Sequence, residues 1–325
     1  MADQGHNAVA LSLRFKVVVT DQVFPSIDTE AALLAGIGGH LEVADGTPDG
    51  VARLGADADA LLNTYMPITD DLLSRLPACQ IVARYGIGVD NVDLAAAARR
   101  GVVVTNVPDY SVEEVAVHTL GLLLSLTRRL PEAAGLVARG GWGLDGLRPI
   151  RRLSTQRIGL VGFGRIARQL AGYLAALRCE VVVHDPFVPP APDIPALVPL
   201  GELLAGCDAV SLHAPLTPQT RGLIGAAELA AMKPEAVLVN TARGPLVDID
   251  ALIDALRAGQ IRAAALDVLD REPPAGRLPD DLPNLLVTPH MAYYSEESIA
   301  ESQKKAATQI IQVLTGGQPD YPVRP

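Results

Sequence analysis

Short runs of β-branched and aliphatic residues alternate with helix-length segments along this chain. Residues 15–20, 40–43, 60–63, 80–83 and 102–105 read as strands. Between them, residues 30–35 begin an Ala/Leu helix, and 69–75 form a helix with a Thr cap and an acidic first turn. Residues 94–99 form another helix, ended by Gly101. Residues 112–129 then read as one long helix stopped by Pro131, and 140–153 as an irregular stretch holding Trp142. A second alternating series follows, with strands at 157–161, 180–184, 209–212, 236–240, 263–266 and 285–288 and a helix at 166–177. Residues 296–314 close it as a helix of mixed polarity. Such βαβα alternation predicts parallel sheets covered on both faces. Two such series and a final helix long enough to return to the first predict an inserted domain, with the ligand between the two units.

The chain has 325 residues, room for two domains. Hydrophobic residues make up 49% and charged residues 20%, which excludes a disordered chain. Aromatics are 4%, so the core is built from Ala, Val, Leu and Ile. The net charge of −10 argues against nucleic acid and anionic membranes as partners. Cys79, Cys179 and Cys207 are odd in number and widely spaced, which speaks against a disulfide framework and a metal site. The opening residues lack the basic start and apolar run of a secretory leader. No apolar stretch approaches the ~20 residues of a membrane helix. A cytoplasmic location is the expectation.

Arg157-Ile-Gly-Leu-Val-Gly162-Phe163-Gly164-Arg165-Ile166-Ala167 is a strand running into a Gly-rich turn and a helix. Gly162 permits the tight turn, Gly164 lets a pyrophosphate approach the backbone, and the helix start presents N–H groups. Ala167 stands where a third Gly allows close helix–strand packing. Asp185 ends the next strand, twenty-one residues beyond Gly164. Its carboxylate suits a ribose 2′-hydroxyl and repels a 2′-phosphate, so the cofactor expected is NAD. The predicted fold is therefore α/β with two doubly wound parallel-sheet domains. A Rossmann-type cofactor domain, residues 107–289, is inserted into a flavodoxin-like substrate domain made of residues 1–106 and 290–325.

Three strand ends carry further chemistry: Asn240-Thr241-Ala242-Arg243-Gly244, Asp267-Val268 followed by Arg271-Glu272-Pro273, and Thr288-Pro289-His290-Met291. Open α/β sheets bind ligands at the carboxyl ends of their strands. Each residue alone has an ordinary structural reading; their shared placement beside a dinucleotide fingerprint marks them as a candidate site.

With these residues in view, the chain resembles the D-isomer-specific 2-hydroxyacid dehydrogenases. The likeness runs from Ala83-Arg84-Tyr85-Gly86-Ile87-Gly88-Val-Asp-Asn91 through the fingerprint, Leu212-His213-Ala214-Pro215-Leu216, Asn240–Asp248 and Asp267 to His290. Residues 290–297 and 314–320 look most like the C-terminal-binding-protein branch. The resemblance implies hydride transfer between NAD and a 2-oxo or D-2-hydroxy acid. His290 would be the acid–base, Glu272 its partner, and Arg243 the clamp on carboxylate and carbonyl. It implies cofactor contacts at Gly162, Phe163, Gly164, Arg165, Ile166, Asp185, Ala214, Pro215, Thr220, Thr241, Ala242, Arg243, Asp267 and His290, with Asp267 on the nicotinamide carboxamide. Substrate contacts would come from Tyr85, Gly86, Ile87, Arg243 and Tyr293, the loop at 85–88 offering backbone N–H groups. It also implies a homodimer formed through residues 112–129 and the Trp142 arm.

The chain departs from relatives at Val117, where many have Glu, and at Tyr293, where the C-terminal-binding branch has Trp. The turn at 64–67 offers no Arg or Lys for a phosphate. Two other readings share the fingerprint: an NAD(H)-sensing scaffold of corepressor type, and a phosphite-type dehydrogenase. Only the oxidoreductases need turnover through Arg243, Glu272 and His290.

Overall fold

The computed structural model describes residues 14–274 and 282–325. The opening segment, read above for a leader, lies mostly outside the described residues. The elements run β1 (Phe15–Val19), α1 (Asp28–Ala35), β2 (Gly39–Val43), α2 (Pro48–Leu54), β3 (Ala60–Asn63), α3 (Asp70–Ser74), β4 (Ile81–Arg84), α4 (Leu94–Arg99) and β5 (Val103–Thr105). Then come α5 (Val112–Thr127), α6 (Leu130–Ala138), β6 (Arg157–Val161), α7 (Arg165–Ala176), β7 (Glu180–His184), β8 (Ala196–Leu197), α8 (Leu200–Gly206) and β9 (Ala209–Leu212). The remainder is α9 (Ala226–Ala231), β10 (Val237–Asn240), α10 (Ile249–Arg257), β11 (Ala263–Leu266), β12 (Leu285–Val287), α11 (Glu296–Leu314) and β13 (Pro322–Val323).

The chain packs into two units, Met1–Tyr110 with Ser295–Pro325, and Ser111–Tyr294. In the first, the sheet order is β13-β5-β4-β3-β1-β2. Its five main strands are parallel, in the 2-1-3-4-5 order of a flavodoxin-like sheet. Only β13 is antiparallel, pairing Val323 with Val104 at the edge of β5. The core is Val18, Leu61, Ile68, Leu72, Val82 and their neighbours. Glu30 on α1 is fully buried outside that cluster, where it accepts from the Tyr85 hydroxyl at 2.6 Å and from the Gln303 amide of α11.

The second unit has the order β12-β11-β10-β9-β6-β7-β8, parallel throughout. Chain order reverses between β6 and β9, the switch point at which such sheets open a crevice above their carboxyl ends. One face, through Val210 and Leu238, packs on Leu203, Leu252 and Leu256, and the other on α5 and α7 through Leu122, Leu123, Leu126, Leu170 and Leu174. The sheet is thus dry on both faces, which is why its strands read as continuous apolar runs.

One expectation changes. Pro131 does not stop the long helix: α5 ends at Thr127, Arg129 takes a left-handed φ of 54°, and Pro131 sits in the first turn of α6. Proline is tolerated there because its missing N–H has no helical partner to lose. Helix α2 opens at Pro48 under a Thr47 cap, whose side chain accepts from the Gly50 N–H. The two-residue strands β8 and β13 carry too few residues to show a period. Helix α6 buries none of its residues.

Candidate active site

The dinucleotide turn follows from glycine. Gly162 has φ +89°, and a Cβ there would lie 2.7 Å from the Ala214 backbone nitrogen. Only glycine lets β6 turn away so close to the chain leaving β9. Gly164 is exposed, and a Cβ there would meet nothing within 4 Å. The space a pyrophosphate needs is therefore open in front of α7, whose twelve residues begin at Arg165. Phe163 is buried with the Arg168 guanidinium over its ring. Asp185 accepts from the Phe163 N–H at 2.8 Å and the Phe187 N–H at 2.9 Å. The carboxylate is thereby fixed beside the turn, with acceptor capacity remaining for a ribose hydroxyl. Ala214 is buried, and Thr220 donates to the Pro215 carbonyl at 2.7 Å, closing the loop after β9. These features fit a dinucleotide.

His213, between Leu212 and Ala214, bonds Ser211 through Nε2 at 2.9 Å. Burial pushes its pKa down to about 4, so it is neutral at physiological pH.

The strand ends of β10, β11 and β12 lie side by side. Asn240 is fully buried; its amide donates to the Arg243 carbonyl at 2.8 Å and its oxygen accepts from the Ala242 N–H. Thr241 is buried and shares a hydrogen bond of 2.7 Å with Thr119 of α5. Gly244 packs on the next loop so closely that a Cβ would stand 1.9 Å from the Leu269 carbonyl carbon. Arg243 is thereby carried next to the loop that bears Glu272. The Glu272 carboxylate accepts from the Leu269 N–H at 2.7 Å and pairs with His290 Nδ1 at 2.5 Å. Half-burial pushes the Glu272 carboxyl upward. The hydrogen bond and charge of His290, the Leu269 amide and Arg243 outweigh that, and the net shift is below the ordinary carboxylate value. The Tyr293 ring stands edge-on to His290 at 6.0 Å. His290 itself has a left-handed φ of 52°.

One expected contact needs correction. Tyr85 was to offer its N–H to a carboxylate, yet it is buried and that N–H donates to Asn63 at 3.0 Å. Gly86 and Ile87 remain in the loop it begins, and Arg84 braces that loop through the carbonyls of Gly88 and Thr64. Asp267, which the resemblance sets on the nicotinamide carboxamide, is 1% exposed, and its oxygens take three protein donors: Thr288 Oγ1, Met291 N and Ala292 N. Sequence reasoning missed this hub because its partners lie 21 to 25 residues away. It also missed His118 of α5, whose Nε2 lies 3.2 Å from Thr288 Oγ1. Among the described residues no cluster of His, Cys, Asp or Glu could hold a metal, and no helix is long and apolar enough to cross a membrane.

A doubly wound unit with a glycine-rich turn at its switch point and an acid on the next strand is a dinucleotide-binding domain. Its sequence matches the family described as D-isomer specific 2-hydroxyacid dehydrogenase, NAD binding domain, over residues 120–292. The chain is 36% identical to a D-3-phosphoglycerate dehydrogenase of Methanocaldococcus jannaschii over 307 residues, 93% of this chain and 58% of that protein. It is 37% identical to a glycerate dehydrogenase of Methylorubrum extorquens over 261 residues, 78% of this chain and 82% of that protein. A crystal structure of D-lactate dehydrogenase from Aquifex aeolicus, complexed with NAD and lactic acid, superposes with a TM-score of 0.84 at 27% identity, covering 93% of this chain and 96% of that one. The chain belongs to the D-isomer-specific 2-hydroxyacid dehydrogenase family, and its cofactor is NAD. It spans little more than half the length of the phosphoglycerate dehydrogenases it matches.

Proposed function

We propose that this chain is a cytoplasmic, homodimeric dehydrogenase that interconverts a 2-oxo acid and its D-2-hydroxy acid. Its cofactor domain would be residues 107–289 and its substrate domain 1–106 with 290–325. The observation that carries the reading is the Glu272–His290 hydrogen bond of 2.5 Å, next to the Arg243 turn on the nucleotide-binding sheet edge.

When bound, NADH would supply the hydride that reduces the carbonyl carbon. His290 gives a proton to the carbonyl oxygen, so the products are the hydroxy acid and NAD⁺. Glu272 holds Nδ1–H, which fixes the ring and makes Nε2 the atom that faces the oxygen. Arg243 grips the carboxylate with its planar fork and polarises the carbonyl. The Tyr293 ring walls the pocket beside His290.

The acid–base pair supports an enzyme over a scaffold, since cofactor sensing alone needs neither residue. The homodimer reading rests on α6 and the arm after it, where Leu130, Val137, Trp142 and Leu144 are all more than half exposed. The cytoplasmic reading rests on three cysteines that stand as free thiols. A panel of 2-oxo acids with NADH tests the function, and it includes the oxo forms of lactate, glycerate and 3-phosphoglycerate. Turnover of at least one acid, lowered by a factor on the order of 10²–10⁴ in His290→Ala, is expected. NADH oxidation with none of them overturns the reading.

A further inference from the structure

His118 belongs to no motif assigned above, yet it lies behind the His290 loop. Its Nε2 is 3.2 Å from Thr288 Oγ1 and 3.6 Å from Asp267 Oδ1. The Thr288 hydroxyl donates to Asp267 Oδ1 at 2.5 Å. A hydroxyl has one hydrogen, so Thr288 can only accept from His118, and Nε2 must carry a proton. Asp267 Oδ1 also takes the Met291 N–H at 3.0 Å, and Oδ2 takes the Ala292 N–H at 2.9 Å. The carbonyl of Asp267 accepts from the His290 N–H at 2.8 Å. Three successive amides, 290 to 292, are therefore held by one residue.

That arrangement answers a conformational cost. A non-glycine residue at φ +52° persists only where its surroundings over-determine it. His290 meets this condition through two anchors. Glu272 holds the ring, and the 290–292 amides hold the backbone. The second anchor is itself oriented from α5, through His118 and Thr288. The next residue of α5, Thr119, bonds Thr241 in the turn that carries Arg243. Adjacent residues of one helix thus brace both strand-end loops of the site.

We propose that His118 is a positioning residue for the reaction: acting through Thr288 and Asp267, it holds His290 in the orientation that proton transfer requires. This rests on the reading of His290 as the acid–base. Its consequences are specific. Loss of the His118 donor loosens the 290–292 backbone while the nucleotide turn, across the sheet at β6, is untouched. The chemical step suffers and cofactor binding does not, because misplacing a reacting group by a fraction of an ångström is enough to lower a rate.

The test uses His118→Phe, which keeps a ring without a donor, and His118→Gln, whose amide nitrogen can donate to Thr288. Amide exchange at residues 290–292 is read in the protein without ligand, NADH affinity by its fluorescence, and kcat and KM with whichever 2-oxo acid the wild type reduces. For His118→Phe, exchange at Met291 and Ala292 should quicken about tenfold. Its kcat should fall about tenfold, with KM and NADH affinity within about twofold. His118→Gln should recover kcat to within about threefold. If His118→Phe does not fold, Thr288→Val removes the same link and should give the same pattern. Unchanged exchange in a folded His118→Phe or Thr288→Val protein overturns the proposal, as does a fall in kcat that glutamine does not repair. If the wild type reduces no 2-oxo acid, the functional reading fails, and the exchange measurement still decides whether His118 holds the loop.

Discussion

Nδ1 of His290 and Oε2 of Glu272 stand 2.5 Å apart, and the other oxygen of that carboxylate takes the Leu269 N–H at 2.7 Å. The carboxylate is held by its own loop and in turn holds the ring. Its pKa lies below the ordinary value because, against half-burial, His290, Leu269 and Arg243 all favour its charge. A depressed carboxyl contributes stability above its unfolded pKa, and that contribution is lost as pH falls through the folded one. The acid limb of kcat/KM that belongs to Glu272 is therefore expected below the ordinary carboxylate range. In Glu272→Gln that limb should vanish, and kcat for reduction should fall, because the amide no longer fixes the His290 ring through a charged hydrogen bond. NADH affinity should stay nearly unchanged. An acid limb that stays in place in Glu272→Gln would make the pairing irrelevant to proton transfer.

Asp185 predicts the cofactor preference. Its carboxylate is pinned by two backbone N–H groups, and the residues after it, Pro186 and Phe187, bring no cation. A 2′-phosphate there meets a like charge, which costs about 1–3 kcal/mol, or roughly ten- to a hundredfold in affinity. NADH should therefore be preferred over NADPH by that factor in kcat/KM. Asp185→Ser combined with Phe187→Arg should narrow the gap; equal use of both cofactors by the wild type would refute the assignment.

Helix α6 and the arm carrying Trp142 predict self-association. Trp142 is 90% exposed and is the chain's one tryptophan, so its emission reports on this surface alone. The wild type should sediment as a dimer at micromolar concentration with blue-shifted emission. Val137→Asp, at an exposed site where folding has little to lose, should give a monomer with emission shifted to the red. A wild type that sediments as a monomer removes the basis of this prediction.

The parts of the site legible in the sequence are those set by local chemistry. Gly162, Gly164 and Asp185 are recognisable because a turn, a helix start and a strand end each demand particular residues within a short span. Arg243, Glu272 and His290 could be placed at strand ends, but their meeting depends on β10, β11 and β12 being neighbours. That adjacency comes from sheet pairing and not from spacing. The Asp267 hub and His118 were invisible for the same reason: an aspartate after a strand and a histidine on a helix acquire meaning only when Thr288, Met291 and Ala292 fold onto them. Pro131 misled because proline stops a helix or opens one, and the choice was made by the left-handed Arg129 before it.

His213 predicts how stability depends on acid. Its ring bonds Ser211, and its backbone lies against Gly162, where a Cβ would come within 2.7 Å of the His213 carbonyl carbon. Burial holds its pKa near 4, against about 6.5 in the unfolded chain. Between those values the unfolded state takes up a proton that the folded state refuses. The stabilisation is complete above about pH 6.5 and declines as pH falls toward 4. From neutral pH to pH 5 this one group should remove about 2 kcal/mol. Urea unfolding of His213→Gln should show a shallower loss over that interval than the wild type, whatever its stability at pH 7.5. Equal losses in the two proteins would mean that the imidazole is solvated enough to be protonated while folded. In that case acid would act on the dinucleotide turn directly, by placing a charge against the backbone on which Gly162 rests.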